Sequence, residues 1–205
     1  ICQVKGVSMK LYYSPGTSSL ADHIALIESG LSFEIVKVDR KTKRTADSRD
    51  YLTINPTGYV PALEIEDGRV LTENVAVLSY IASRSGKLIP SEEFRRSRVL
   101  EILAFVASEI HKNFKPLFTP DASAEAKALA TDVLRSRFAL LNDRLGDSEF
   151  ITGNDFTVAD CYILVTLFWA KKLVRLDLPE GLSAYLDRIE QRPSVRQAFT
   201  AESIG

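Results

Sequence analysis

Val60-Pro-Ala-Leu-Glu-Ile-Glu-Asp-Gly-Arg-Val-Leu-Thr-Glu-Asn74 decides the fold. Two short apolar runs, 62–65 and 70–72, flank Glu66-Asp-Gly68. Asp-Gly between such runs signals a hairpin, because glycine takes the positive φ that a tight turn requires. Downstream, Val75, Leu78, Ile81 and Ala82 recur at helical spacing and stop near Gly86. Upstream, Tyr12 and Tyr13 end a short strand, Ser14-Pro-Gly-Thr-Ser-Ser19 forms a loop, and Leu20, Ile24, Leu26 and Ile27 are helix-spaced before Gly30. Residues 33–38 alternate apolar and polar as a second strand. A strand, a helix and a strand in that order predict a right-handed parallel crossover. Between this unit and the hairpin lie a basic, polar stretch, 40–50, and the turn Asn55-Pro-Thr-Gly58.

From Ser91 onward strand-like alternation gives way to helical windows at 92–113, 124–145, 158–172, 182–191 and 194–201. Thr157-Val-Ala-Asp160 fits a capping box, in which hydroxyl and acid satisfy amides at a helix start. The change from mixed α/β to all-α falls at Gly86-Lys-Leu-Ile-Pro90, which predicts domains over 9–86 and 91–205. The sole methionine, Met9, leads straight into the first strand, so residues 1–8 read as an upstream or non-native extension.

Composition narrows the function. The chain has 205 residues, 26 Lys+Arg against 27 Asp+Glu, and a net charge of −1. That balance gives no electrostatic footprint for nucleic acid or an anionic membrane, which favours a small-molecule or protein partner. The longest apolar run, 161–170, is shorter than the ~18 residues that suggest a membrane span. No basic segment joined to an apolar core marks a secretory signal, so the expected location is the cytoplasm. Cys2 and Cys161 lack ligand-like spacing, and neither a disulfide framework nor a metal site is expected.

Five strings are more specific than this layout: Met9-Lys-Leu-Tyr-Tyr-Ser-Pro-Gly16, Val60-Pro-Ala-Leu63, Leu71-Thr-Glu-Asn74, Glu109-Ile-His-Lys112 and Phe156-Thr-Val-Ala-Asp160. In order and spacing they resemble the bacterial beta class of glutathione transferases. The resemblance implies a thioredoxin-like N-terminal domain (βαβ-α-ββ-α) followed by a helical one. It also implies glutathione as co-substrate, a small hydrophobic electrophile as second substrate, and a homodimer. A cis bond at Val60-Pro61 would present the Val60 backbone to the cysteinyl unit of glutathione, as an added strand would. Glu73 and Asn74 would take the γ-glutamyl end, through helix-terminal amides and the acid of Glu73. Lys43 and Lys112 match ligands of the glycyl carboxylate, Tyr13 lies beside the reactive position, and His111 falls where the family has its active-site histidine.

The sequence departs from that pattern at two places. The class cysteine is replaced by Ser18, in Pro15-Gly-Thr-Ser-Ser19, and a serine cannot form a mixed disulfide. A hydroxyl can instead donate a hydrogen bond to the glutathione thiolate. Ser18 is the first expectation for this role. Thr17, which matches the catalytic serine of the theta- and delta-like classes, is the second. The plain alternative is that both hydroxyls only cap the following helix. Ala104 stands where related chains carry an asparagine that reaches the partner subunit's glutathione. Two functions are therefore open: a transferase, or a ligand-binding or regulatory protein on the same fold with little or no transferase activity.

Overall fold

The computed structural model describes residues 8–204. The extension read at 1–8, including Cys2, lies outside the described residues save for Ser8. The first half contains β1 (Met9–Tyr13), α1 (Ser19–Ser29), β2 (Phe33–Lys37), β3 (Ala62–Glu64), β4 (Val70–Thr72) and α2 (Asn74–Ser85). The four-stranded sheet has the order β2-β1-β3-β4. β1 and β2 are parallel, as the crossover predicted, and β3 pairs antiparallel with both β1 and β4.

Register sorts the side chains. Leu11 lies opposite Ile35 on one side and Leu63 on the other, and Leu63 faces Leu71. This apolar row joins Leu20 and Ile24 of α1 and Val77, Leu78 and Ile81 of α2 in the main core. Because side chains alternate along a strand, Tyr12 points to the other face, where it packs with Val38, Tyr51 and Ala62. Gly68, at φ +86°, supplies the left-handed position of the β3–β4 turn.

The helix implied between β2 and β3 is a single 3₁₀ turn, Tyr51–Thr53. Short polar side chains before it bind nearby amides and compete with a helix. Asp39 accepts from the N–H groups of Lys41 and Thr42, Thr45 Oγ1 accepts from Arg49 N–H, and Asp50 accepts from Leu52 N–H.

The second half holds α3 (Glu93–Phe105), α4 (Lys115–Phe118), α5 (Ala124–Leu145), α6 (Val158–Phe168), α7 (Glu180–Ile189) and α8 (Pro193–Glu202). Every residue of α6 is buried, which explains its continuous apolar run: α1, α3 and α7 all pack on it. A fully buried aliphatic side chain contributes ~1.5–3 kcal/mol, so Leu164→Ala would cost about 2–5 kcal/mol with its cavity. The capping box is present at its start, where Asp160 Oδ2 accepts from the N–H and the hydroxyl of Thr157, each at 2.8 Å. The Leu88 carbonyl accepts the next amide, Val158 N–H, at 3.0 Å.

Two windows read as unbroken helices are not. After α3 the chain forms a π-turn, Val106–Ile110, then a 3₁₀ turn, His111–Phe114. α6 likewise passes into a π-turn, Trp169–Leu173. Each π-turn shifts the register of the side chains that follow, and such bulges are frequent at functional sites. Here His111 directly follows one of them and Trp169 opens the other.

Candidate active site

The loop between β1 and α1 is fixed from both halves of the molecule. Trp169 Nε1–H donates to the Gly16 carbonyl at 2.7 Å, and Gly16 N–H donates to Glu202 Oε2 at 2.9 Å. Ser14 Oγ donates to the Val38 carbonyl at 2.7 Å. Glu202 is itself buried, with its other oxygen 2.9 Å from His23 Nδ1. Trp169 and Glu202 escaped the sequence reading, since each lies more than 150 residues from Gly16 and the contacts exist only after folding.

The structure separates the two candidate hydroxyls. Thr17 Oγ1 donates to the Ser14 carbonyl at 2.8 Å and lies 2.9 Å from Ser19 Oγ, so it is committed within the loop. Ser18 stands at the N-cap position of α1 but makes no side-chain capping bond. Its hydroxyl instead donates across to the Val60 carbonyl at 3.3 Å, a long and weak bond. The capping alternative therefore does not describe Ser18. The Val60–Pro61 peptide is cis, and Val60 is half-buried.

Glu73 sits between β4 and α2 at φ 71°, ψ 123°, and it is exposed with no capping bond of its own. A non-glycine residue at positive φ carries backbone strain of ~1–3 kcal/mol and is often held where a ligand binds. Asn74 is buried, and its side chain turns inward: Nδ2 donates to the Ser18 carbonyl at 2.9 Å and to Asp22 Oδ2 at 3.1 Å. The Asn74 side chain thus ties the starts of α1 and α2 together. Burial pushes the Asp22 carboxyl well up, and its Oδ1 has no partner among the described residues.

Lys43, at φ 55°, donates from Nζ to the Gly58 carbonyl at 2.9 Å, close to the Val60 turn. A side chain on Gly58 would come within 3.1 Å of Leu52 and 3.3 Å of Lys43, close enough that these side chains would have to give, and the φ of +68° favours glycine there. Lys112 is 62% exposed and only loosely paired, 3.9 Å from Glu109, whose other oxygen binds Arg137 Nε at 3.0 Å. Tyr13 is buried, and desolvation first, then the Glu202 charge, raises its hydroxyl above the usual tyrosine value. It is a phenol at neutral pH and can only donate to a thiolate.

His111 packs edge-on against Trp169, ring centres 4.9 Å apart, and its Nδ1 lies 2.6 Å from the Tyr162 hydroxyl. Burial holds the imidazole below its ordinary pKa, so it is neutral near pH 7. Phe114 and Phe118 stand against the same indole at 5.4 and 5.5 Å. Phe118 remains partly exposed, which gives the site an apolar wall. Cys161 is fully buried in α6, where burial pushes its thiol well up, so it is no substitute nucleophile. Among the described residues no group of side chains could hold a metal ion.

Comparisons with known proteins fit this arrangement. The family model of the glutathione S-transferase N-terminal domain matches residues 7–83, and that of the C-terminal domain matches 124–199. The chain belongs to the glutathione S-transferase family. It is 41% identical to glutathione S-transferase GstA of Escherichia coli O157:H7, over 96% of this chain and all of that protein. The solved structure of a sphingomonad glutathione S-transferase complexed with glutathione superposes with a TM-score of 0.89 at 46% identity, over 96% of this chain and 100% of the other. The bacterial beta-class transferase of Sphingomonas chungbukensis gives the same TM-score, 0.89, at 44% identity and the same 96% and 100% coverage. The starts of α1 and α2 and the Val60 turn meet at Ser18 and Asn74, and Trp169 joins the preceding loop to the helical half through the Gly16 carbonyl, with His111 packed on its indole.

Proposed function

We propose that this glutathione S-transferase adds the glutathione thiolate to small apolar electrophiles and that the Ser18 hydroxyl stabilises the thiolate. One observation carries the reading: the Ser18 hydroxyl is neither a helix cap nor locked in its loop, but rests on the Val60 carbonyl at 3.3 Å. When the cysteinyl N–H of glutathione takes that carbonyl, Ser18 is released to donate to the sulfur. A hydrogen bond to a charged acceptor contributes ~1.5–3 kcal/mol, more than the neutral bond it replaces. Serine cannot form the mixed disulfide of a thiol redox enzyme, which speaks against that reaction here.

The remaining groups complement the ligand. Glu73 faces the ammonium of the γ-glutamyl unit, and the α2 amides beginning at Asn74 face its carboxylate. Lys43 and Lys112 face the glycyl carboxylate. Tyr13 completes the surroundings of the sulfur, and the second substrate lies against His111, Trp169 and Phe118. In the reaction the sulfur lone pair forms the C–S bond, the leaving group departs with the electrons of the bond it breaks, and the thiol proton passes to solvent.

The same reading makes the protein a cytoplasmic homodimer, with a division at 86–90 between its glutathione-binding and helical parts. Among the described residues no helix is long and apolar enough to cross a membrane. The dimer is supported by apolar surface left uncovered on α3 and α5: Phe94, Leu100 and Leu140 are 64, 40 and 53% exposed. Ala104 is also exposed there but offers no side chain to a partner's ligand. The test is to measure glutathione affinity and conjugation of a chlorodinitroarene in one preparation. Binding with turnover supports the proposal. Binding without turnover identifies a ligand-binding or regulatory protein instead.

A further inference from the structure

His111 has two ring nitrogens in different situations. Nδ1 faces the Tyr162 hydroxyl at 2.6 Å. Nε2 has no hydrogen-bond partner among the described residues, yet it is not one of the buried atoms left without a partner, so it reaches solvent. Tyr162 is 2% exposed on α6, and among the described residues its hydroxyl makes this one hydrogen bond. If Nδ1 carried the proton and donated, the phenol hydrogen would be sealed away unpaired, at a cost of ~1–3 kcal/mol. If Tyr162 donates, both buried atoms are satisfied and the imidazole proton must sit on Nε2. The second arrangement is the favoured one.

We propose that Tyr162 is a positioning residue, which locks His111 as the Nε2–H tautomer and so makes it a hydrogen-bond donor into the site rather than a base. The inference rests on the transferase reading above and deepens it by naming a substrate class. Burial keeps the imidazole neutral and raises the Tyr162 hydroxyl, so neither partner ionises near pH 7. Trp169 fixes the ring plane from the side and ties the assembly to the Gly16 carbonyl. A neutral donor there favours electrophiles in which thiolate addition builds negative charge on an oxygen. In a chlorodinitroarene the C–S bond forms, the electron pair moves onto the nitro oxygens, and chloride leaves with the C–Cl pair. An alkyl iodide, displaced in one step, develops no such oxyanion and gains little from the donor.

Tyr162→Phe removes only the hydroxyl and keeps the packing. The measurements are conjugation rates for the chlorodinitroarene and for an alkyl iodide, the glutathione KM, and ¹⁵N spectra of the His111 ring. The expected result is a fall of roughly two- to tenfold in kcat for the arene, the size of one neutral hydrogen bond. The KM for glutathione and the alkyl iodide rate should stay unchanged, and the ring spectrum should move from pure Nε2–H to a tautomer mixture. With His111→Ala as background, Tyr162→Phe should have no further effect on the arene rate, because it acts through the ring. A parent chain that conjugates neither substrate would overturn this inference together with the function proposed above. An active parent whose Tyr162→Phe variant keeps its ring spectrum and arene rate, or loses both substrates equally, would overturn this inference alone.

Discussion

Replacing Ser18 by alanine isolates the chemistry proposed for it. In the free protein the hydroxyl makes one bond, 3.3 Å to the Val60 carbonyl. A neutral bond contributes about 0.5–1.5 kcal/mol, and this one is long, so the expected loss of stability is below ~1 kcal/mol. Against a thiolate the same hydroxyl contributes ~1.5–3 kcal/mol, which at ~1.36 kcal/mol per unit lowers the thiol pKa by roughly one to two units. Removing it raises that pKa, so the rising limb of the pH–rate profile moves to higher pH by the same amount. Well below both pKa values Ser18→Ala should conjugate about ten- to a hundredfold more slowly, and well above them the two rates should converge. Glutathione affinity should change little at pH values well below both pKa values, where the bound ligand is a thiol, and should weaken at higher pH as the bound thiolate loses its donor. Thr17→Ala is the control: that hydroxyl is held by the Ser14 carbonyl, and its removal should leave the profile in place. Identical profiles for the parent and both alanine variants would refute a hydroxyl mechanism. Ser18→Cys places a thiol at the start of α1, where helix amides favour a thiolate, and should form a mixed disulfide with glutathione.

Glu73 combines a role in binding with backbone strain, and two substitutions separate them. Glu73→Ala should weaken glutathione binding about ten- to a hundredfold by calorimetry, the loss of a charged hydrogen-bond partner. Glu73→Gly should weaken it as much while raising thermal stability by about 1 kcal/mol, because glycine relieves the φ of 71°. For His111, burial lowers the folded pKa below its unfolded value. Its contribution to stability is therefore complete above about pH 6.5 and is lost as pH falls through the lower folded value. His111→Gln should be less stable at pH 7.5 and should show a shallower loss with acid in denaturant titrations. Leu100→Glu or Leu140→Glu puts a charge on the exposed apolar surface, and sedimentation should show a monomer in place of the dimer.

The sequence by itself determined the local and the periodic. The Asp-Gly turn, the alternation of β2, the helical spacings of α1, α2 and α5 and the Thr157–Asp160 box depend on neighbours a few residues apart, and each is present at its expected place. The strings around Ser18, Val60 and Glu73 were legible for the same reason, because each is a short segment with its own backbone requirement. The missing helix after β2 was less legible, since apolar spacing says nothing of how Asp39, Thr45 and Asp50 divide the nearby amides among themselves. The π-turns were hidden as well, because one extra residue per turn leaves an apolar stretch still looking like a helix. Only the tertiary structure told the surroundings of Ser18 and Thr17 apart, since hydroxyls one residue apart are distinguished by the partners that reach them: the Val60 carbonyl for Ser18, the Ser14 carbonyl within the loop for Thr17. It also brought Trp169 and Glu202 to Gly16, and Tyr162 to His111. Hydrogen-bond direction and burial are properties of the packed interior, and until the helical half closes on the sheet these side chains have no partners to choose.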